Sequence, residues 1–401
     1  MEKKTRTLIF AYASCASLIF GLLGGLFLSV ADWLMAFMWK LLPASLGLSN
    51  WIWWPLVICS LLGLVIGFLQ EKIGPYPRTI QEVLGEVRKS GGVESWRWWK
   101  TCLNGLTVLA AGGSVGPEAS LTGIIAGQCT WLGQHLKALL LDETKHRASL
   151  GEQVRTLFWQ RASSAKPLAS YFKSRARQRA SYTIWTLLGI LGFILWRKLV
   201  PQERVFGIHN RPVAWNWHVL LLLLPAFGVG LAFGWLFVKL GKWSSYALTD
   251  RGSKIWQGAA GGLLLGVAAM ASPYFMFSGA FTIAKLAKSA AIMGPLLLLA
   301  LGLGKAALTN VGFFLGWRGG TIFPAIFCSL AVGGAFALLF PWTQNLVAAV
   351  ITSTAVTVIV GRPLLVALLL VFLFSIRLAP AIVFFCLLAG WVLRKFPQVK
   401  P

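Results

Sequence analysis

The chain has 401 residues, 57% of them apolar and 12% charged, where an average soluble domain carries about 25% charged residues. Together with a mean hydropathy of +0.71, this excludes an ordinary soluble globule and predicts an all-α polytopic membrane protein. Thirty-seven basic against 12 acidic residues leave a net charge of +25, an excess that in a soluble protein would point to nucleic acid.

Taken in order, residues 8–29 form an apolar run after Lys3, Lys4 and Arg6, too long for a signal-peptide core and therefore read as a retained first helix. A second run follows at 51–69. A polar stretch, 71–100, contains Gly74-Pro75-Tyr76-Pro77, whose two prolines predict a rigid non-helical turn. Trp96, Trp98 and Trp99 beside Arg97 and Lys100 predict an interfacial belt where the chain re-enters the membrane. The apolar run 103–128 is broken at Gly112-Gly113-Ser114-Val115-Gly116-Pro117, ahead of Glu118. Residues 142–182 hold nine Lys or Arg against three acids, and a short apolar helix is predicted near 183–196. By the positive-inside rule this loop and both termini are cytoplasmic, in a multi-pass protein of the plasma membrane. Basic segment ends and anionic lipid account for the charge excess, so no nucleic-acid partner is expected.

The second half repeats the order. Runs at 219–240 and 255–276 resemble the opening helices, and a shorter one covers 364–376. Ser278-Gly279-Ala280-Phe281-Thr282-Ile283 parallels the 76–80 turn. Gly319-Gly320-Thr321-Ile322-Phe323-Pro324 parallels 112–117, and Gly361-Arg362-Pro363-Leu364 parallels Ala165-Lys166-Pro167-Leu168. The offsets run from 196 to 207, which predicts two membrane repeats, 1–204 and 205–401. At the two Gly-Gly turns, Pro117 and Pro324 are expected at the first helical position. Amide groups of Ser114, Val115 and Gly116, or of Thr321, Ile322 and Phe323, would then be free to bind an anion at the positive end of a helix dipole. Irregular backbone at membrane depth is tolerated only inside protein or along a wet cavity, which favours a permeation path.

These turns resemble those of the CLC family of chloride channels and proton-coupled chloride transporters. Gly113-Ser114-Val115-Gly116-Pro117 is similar to the family's Gly-Arg/Lys-Glu-Gly-Pro turn, and Gly320-Thr321-Ile322-Phe323-Pro324 to its Gly-x-Phe-x-Pro turn. Ile73-Gly74-Pro75-Tyr76-Pro77 falls where its Gly-Ser-Gly-Ile-Pro turn belongs. The resemblance implies an inverted repeat whose broken helices meet near the bilayer midplane, usually in a homodimer with one pore per subunit. It implies anion-binding residues at Gly113, Ser114, Val115, Gly116, Pro117, Gly320, Thr321, Ile322, Phe323 and Pro324. The chain departs from the pattern at four points. Val115 stands where the family has its gating glutamate, Gly74 replaces a serine, and no tyrosine follows Tyr274. Where the family carries a proton-relay glutamate after its Lys-Pro-Leu counterpart, this chain reads Tyr171-Phe172-Lys173-Ser174-Arg175-Ala176-Arg177, with no acid. The expected function is therefore passive conduction of chloride or a related small anion. The alternatives are a proton-coupled or Glu118-gated transporter and a non-conducting member of the fold.

Glu118 is the candidate gate, three residues after Val115; the same position also suits a first-turn acid on its own helix dipole. Tyr76 is a candidate pore-lining residue, or else a packed aromatic. Lys305, Arg318 and Arg362 lie in or beside apolar sequence, where any of them could attract anions into a vestibule; snorkelling to the interface is the expected reading. Six cysteines without paired spacing read as small buried apolar residues, and four scattered histidines offer no metal motif. No metal or cofactor is expected. An enzyme would need clustered acid–base or nucleophilic groups, and the apolar segments hold only isolated acids such as Asp32 and Glu118.

Overall fold

The computed structural model describes residues 3–141, 149–159, 174–200, 215, 217–248, 252–340 and 344–396. The chain packs into two compact units that interleave along the sequence: 1–34, 77–106 and 118–202 in the first, 35–76, 107–117 and 203–401 in the second. Among the described residues there is helix and turn but no named strand. Six helical stretches among the described residues are long and apolar enough to cross a bilayer: Thr7–Ser45, Trp54–Ile73, Arg175–Leu199, Trp217–Leu248, Ile283–Phe314 and Ile376–Lys395. The protein is an integral multi-pass membrane protein.

The first unit is built on α1 (Lys3–Ala36) up to Leu34. The chain then runs through a π-helical turn, Phe37–Leu41, into the short α2 (Leu42–Ser45) and α3 (Trp54–Ile73) of the second unit. It returns to the first unit with α4 (Ile80–Ser90), which opens on a capping box. There Glu82 N–H donates to Thr79 Oγ1 (3.1 Å) and Thr79 N–H to the Glu82 carboxylate (2.6 Å). Gly91 closes α4 in the left-handed region at φ 77°. Next come α5 (Trp98–Ala110), which passes from the first unit into the second after Leu106, and α6 (Glu118–Leu141).

The basic segment is not all loop: Leu150–Trp159 is helical (α7), and α8 (Arg175–Leu199) starts inside it. Ser174 caps α8 by accepting from Arg177 N–H. With 25 residues, α8 exceeds the short helix expected near 183–196, because the Arg-rich turn before the apolar run continues it. The expectations at 142–148 and 160–173, including the 165–168 match, fall outside the described residues. Ala13, Ala16, Leu132, Leu136, Leu139, Leu157 and Trp185 form the core of this unit.

The second unit continues with α9 (Trp217–Leu248), α10 (Lys254–Ala271), α11 (Ile283–Phe314), α12 (Ile322–Ala337), α13 (Gln344–Val360), α14 (Pro363–Leu373) and α15 (Ala379–Lys395). In a membrane, helix association relies on close packing rather than on burial from water, so small residues mark the tight contacts. Here α3 and α10 meet along two rows with a four-residue period, Cys59-Gly63-Gly67 and Gly258-Gly262-Gly266. A Cβ on Gly258 would stand 2.6 Å from Gly67 N, and one on Gly266 2.7 Å from Leu56 Cα. In the same way α9 lays Gly230 and Gly234 on α13, with 2.7 Å available to Thr354 Cβ and Val358 Cβ. The main core joins α9 and α11–α15, with Phe327, Ile326, Leu298, Leu346 and Ile351 fully buried.

Two helix boundaries recur at a single offset. Helix α4 starts at Ile80 after Thr79, and α11 starts at Ile283 after Thr282, 203 residues on. Gly91 ends α4, and Gly294 (φ 76°), followed by Pro295, breaks α11 at the same offset.

Candidate functional site

Four backbone turns converge inside the second unit. Gly112 at φ 81° and Gly116 bracket the first Gly-Gly turn. Gly316 at φ 97° opens the second, which leads to α12. The two are joined by an isolated antiparallel bridge: Gly116 N–H donates to Gly320 O (2.7 Å) and Gly320 N–H to Gly116 O (2.8 Å). A side chain at Gly319 would overlap the Val115 side chain, whose Cβ would lie 2.7 Å away. Val115 is 2% exposed and packs with Val108, Ala111 and Trp317. The pairing therefore needs glycine for close approach on one side and a packed valine on the other.

The other two turns dock on this pair. Phe277 N–H donates to Gly112 O (2.9 Å), and a Cβ on Gly112 would stand 2.5 Å from Met276 Cε. Gly279 (φ 85°) lies against Phe327 of α12, leaving 2.9 Å to its Cβ. On the far side, Gln70 of α3 donates from Nε2 to Tyr76 O (2.6 Å), and its Cγ would be 3.4 Å from a Cβ on Gly316. Trp39 Nε1 donates to Ala110 O (2.9 Å) and Trp317 Nε1 to Gly258 O (2.9 Å), which fixes the end of α5 and the second turn respectively.

Helix α11 ties two of these turns from one face. Thr309 Oγ1 donates to Ser114 O (3.1 Å) and lies 2.9 Å from Ser114 Oγ. One turn earlier, Lys305 is fully buried, with Nζ at 2.8 Å from Tyr274 O, 3.2 Å from Phe275 O, 3.0 Å from Met276 O and 2.8 Å from Phe277 O. Its ammonium also stands 5.0 Å from the Phe327 ring centre. Replacing Thr309 with the isosteric valine strands the Ser114 hydroxyl and carbonyl in a buried position. Thr309→Val is expected to cost about 1–3 kcal/mol, read as a lower thermal unfolding temperature in detergent.

Several expectations are corrected here. The amides of Val115 and Gly116 are not open to a ligand: Val115 N–H donates to Gly113 O (2.7 Å) and Gly116 N–H is taken by the bridge. Turns that face each other at this distance satisfy one another's polar groups, as buried backbone must. Lys305 does not snorkel; the carbonyl cage holds it inside. Arg318 is half-buried with its guanidinium over Phe313, and Arg362 is exposed where α14 begins. Pro117 stands just before α6 and Pro324 is the third residue of α12, shifts within the usual blur of helix ends. Cys59, Cys328 and Cys386 are buried, but Cys15 and Cys129 are exposed.

Of the remaining predicted positions, Gly113 is held between Val108 and Trp317, and Ser114, Gly320 and Pro324 are buried. Thr321, Ile322 and Phe323 are half-buried at the start of α12. Tyr76 is buried and its carbonyl serves Gln70. Glu118 is half-buried, is the first residue of α6, and belongs to the first unit; its carbonyl accepts from Thr122 Oγ1 (2.7 Å). The contributions of Gln70, Trp39 and Met276–Phe277 carry no motif. Lys305 alone had a signal, as a cation within an apolar run.

The chain resembles three solved structures over nearly its whole length. One is described as a slow cyanobacterial Cl−/H+ antiporter (18% identity, 99% of this chain and 95% of that one, TM-score 0.67). The second is a CLC-type fluoride/proton antiporter (14% identity, 100% and 99%, TM-score 0.65). The third is a eukaryotic CLC transporter (17% identity, 98% and 73%, TM-score 0.65). At these identities the likeness establishes the fold. No curated protein sequence matches the chain. Residues 173–394, more than half of the sequence, match the profile of the voltage gated chloride channel family, and the chain is a member of that family.

Proposed function

We propose that the protein conducts chloride or a related small anion across the plasma membrane, passively and without proton coupling. The observation that carries this reading is the Gly116–Gly320 pairing, which brings the 112–117 and 319–324 turns together with Val115 where the family has its gating glutamate. Dehydrating a halide costs at least several kcal/mol, and one helix terminus returns up to about 2 kcal/mol, so several turns must share the load. Conduction also requires binding that is not too tight. With Val115 and Gly116 amides engaged, the start of α12 and the polar groups around Ser114 and Thr321 are the anion's surroundings. Gly113, Ser114, Val115, Gly116, Pro117, Gly320, Thr321, Ile322, Phe323 and Pro324 form the path, and Tyr76 lines it. The arrangement is two membrane repeats, 1–204 and 205–401, in inverted orientation, with both termini cytoplasmic and two copies per assembly, in contact with membrane lipid.

A proton-coupled reading keeps one support: two of the similar structures are described as proton antiporters, of chloride and of fluoride. In it Glu118 takes the gating role. Liposome efflux with chloride, fluoride and nitrate separates the two. Passive conduction predicts equal anion efflux with and without a pH gradient, no proton movement driven by chloride, and a Glu118→Gln variant within about threefold of wild type. A gate at Glu118 predicts instead that this variant changes flux at least tenfold and loses its pH response. Absence of efflux for all three anions would make the chain a non-conducting member of the fold.

A further inference from the structure

Resting on the anion reading, we infer that Lys305 is the positioning residue of the site and sets its affinity for anions. Three observations lead there. First, four consecutive carbonyl oxygens, Tyr274 to Phe277, converge on one nitrogen at 2.8–3.2 Å. The four carbonyls share the three protons of an ammonium, which has no lone pair to repel them. Second, Phe277 is the one non-glycine residue with a positive φ (54°) among the described residues, a strained conformation for an aromatic. Its carbonyl is held by Lys305 and its N–H by Gly112 O, so the grip on one side fixes the contact on the other. Third, Lys305 and Thr309 stand one helical turn apart on the same face of α11, one clamping the 274–277 turn and the other Ser114.

The side chains and backbone thus close a ring: Lys305 to Phe277, Phe277 to Gly112, along the turn to Ser114, and from Ser114 to Thr309. The peptide whose N–H reaches Gly112 O turns its other end, the Met276 carbonyl, to Lys305 and away from that turn. Lys305 also leaves a net positive charge beside the paired glycine turns in a medium where charge acts strongly. No acidic side chain forms an ion pair with Lys305 among the described salt bridges, so the neutralising partner is the permeating anion itself.

The test is chloride efflux from liposomes holding the full-length protein, over a graded series of chloride concentrations. Lys305→Met keeps length and removes charge; it is expected to raise the half-saturating chloride concentration about tenfold, with Lys305→Arg within about threefold of wild type. An unchanged half-saturation in Lys305→Met, whatever its maximal flux, overturns the inference, since a purely structural residue would alter the amount of active protein and not its affinity. Should Lys305→Met fail to give a monodisperse protein, the measurement moves to Lys305→Met/Phe277→Gly, in which glycine adopts the left-handed turn without the cage. Failure of both to fold assigns Lys305 to structure alone and rejects the affinity role. Wild-type liposomes that release no anion sink the conduction reading itself, a result distinct from an unmoved half-saturation.

Discussion

Gly319→Ala is expected to abolish most anion flux and to destabilise the protein by about 1–3 kcal/mol, the usual range for a methyl forced into a packed site. The added carbon would overlap the Val115 side chain and sit 3.3 Å from Gly116 O, at the point where the two turns exchange backbone hydrogen bonds. Neither neighbour can retreat: Val115 is packed on Val108, Ala111 and Trp317, and Gly116 is tied to Gly320 from both its N–H and its carbonyl. The obstruction is a side chain, so it can be removed. In Gly319→Ala/Val115→Gly the obstructing valine side chain is gone, so the double variant should lose less stability than the sum of the two single losses, although Val115→Gly alone leaves a cavity beside Val108 and Trp317. Unfolding in detergent and liposome efflux, run as a double-mutant cycle, read the coupling directly. Additive losses in the cycle would mean that the turns do not touch as described.

The second large effect is expected at Gly262→Ala. Its Cβ would collide with the Cys59 carbonyl of α3 and stand 2.8 Å from the carbonyl carbon and 3.2 Å from Ser60 Cα. Backbone on a facing helix cannot rotate aside as a side chain does, so α3 and α10 must separate along the whole glycine row. The cost is expected to reach about 3 kcal/mol or more, seen as early thermal unfolding and loss of a monodisperse peak. The same chemical change at Gly228 of α9, where nothing lies within 4 Å, should cost nothing or stabilise slightly. Equal behaviour of the two variants would argue against tight α3–α10 packing.

Much of the architecture is legible in the chain because membrane-length apolar runs and paired Gly-Pro turns leave few alternatives. Thr79 and Thr282 precede helices at matched positions, and the 112–117 and 319–324 turns break helices where expected. Helix α8 was underestimated because its first turns are Arg-rich, and helix formation there depends on the Ser174 cap and on continuation from the apolar run rather than on hydrophobicity. The site was legible as a meeting of turns but not in its polar bookkeeping. Sequence spacing shows which amides a glycine turn could offer; only coordinates show that Gly116 and Gly320 spend theirs on one another. Lys305 was misread for a related reason. A lone cation in an apolar helix snorkels unless something inside accepts its protons, and the acceptors are carbonyls from a turn some thirty residues away with no signature of their own.

The Gly116–Gly320 bridge also bears on how the chain comes to be folded. Its two sides are 204 residues apart in the sequence, so the first turn leaves the ribosome long before its partner exists. Until the second arrives, the donor and acceptor of Gly116 must be satisfied by water or by temporary neighbours, since an unpaired peptide group in lipid is costly. This pair of turns is thus among the last parts to be completed during synthesis, and closing that long loop is a slow step of assembly.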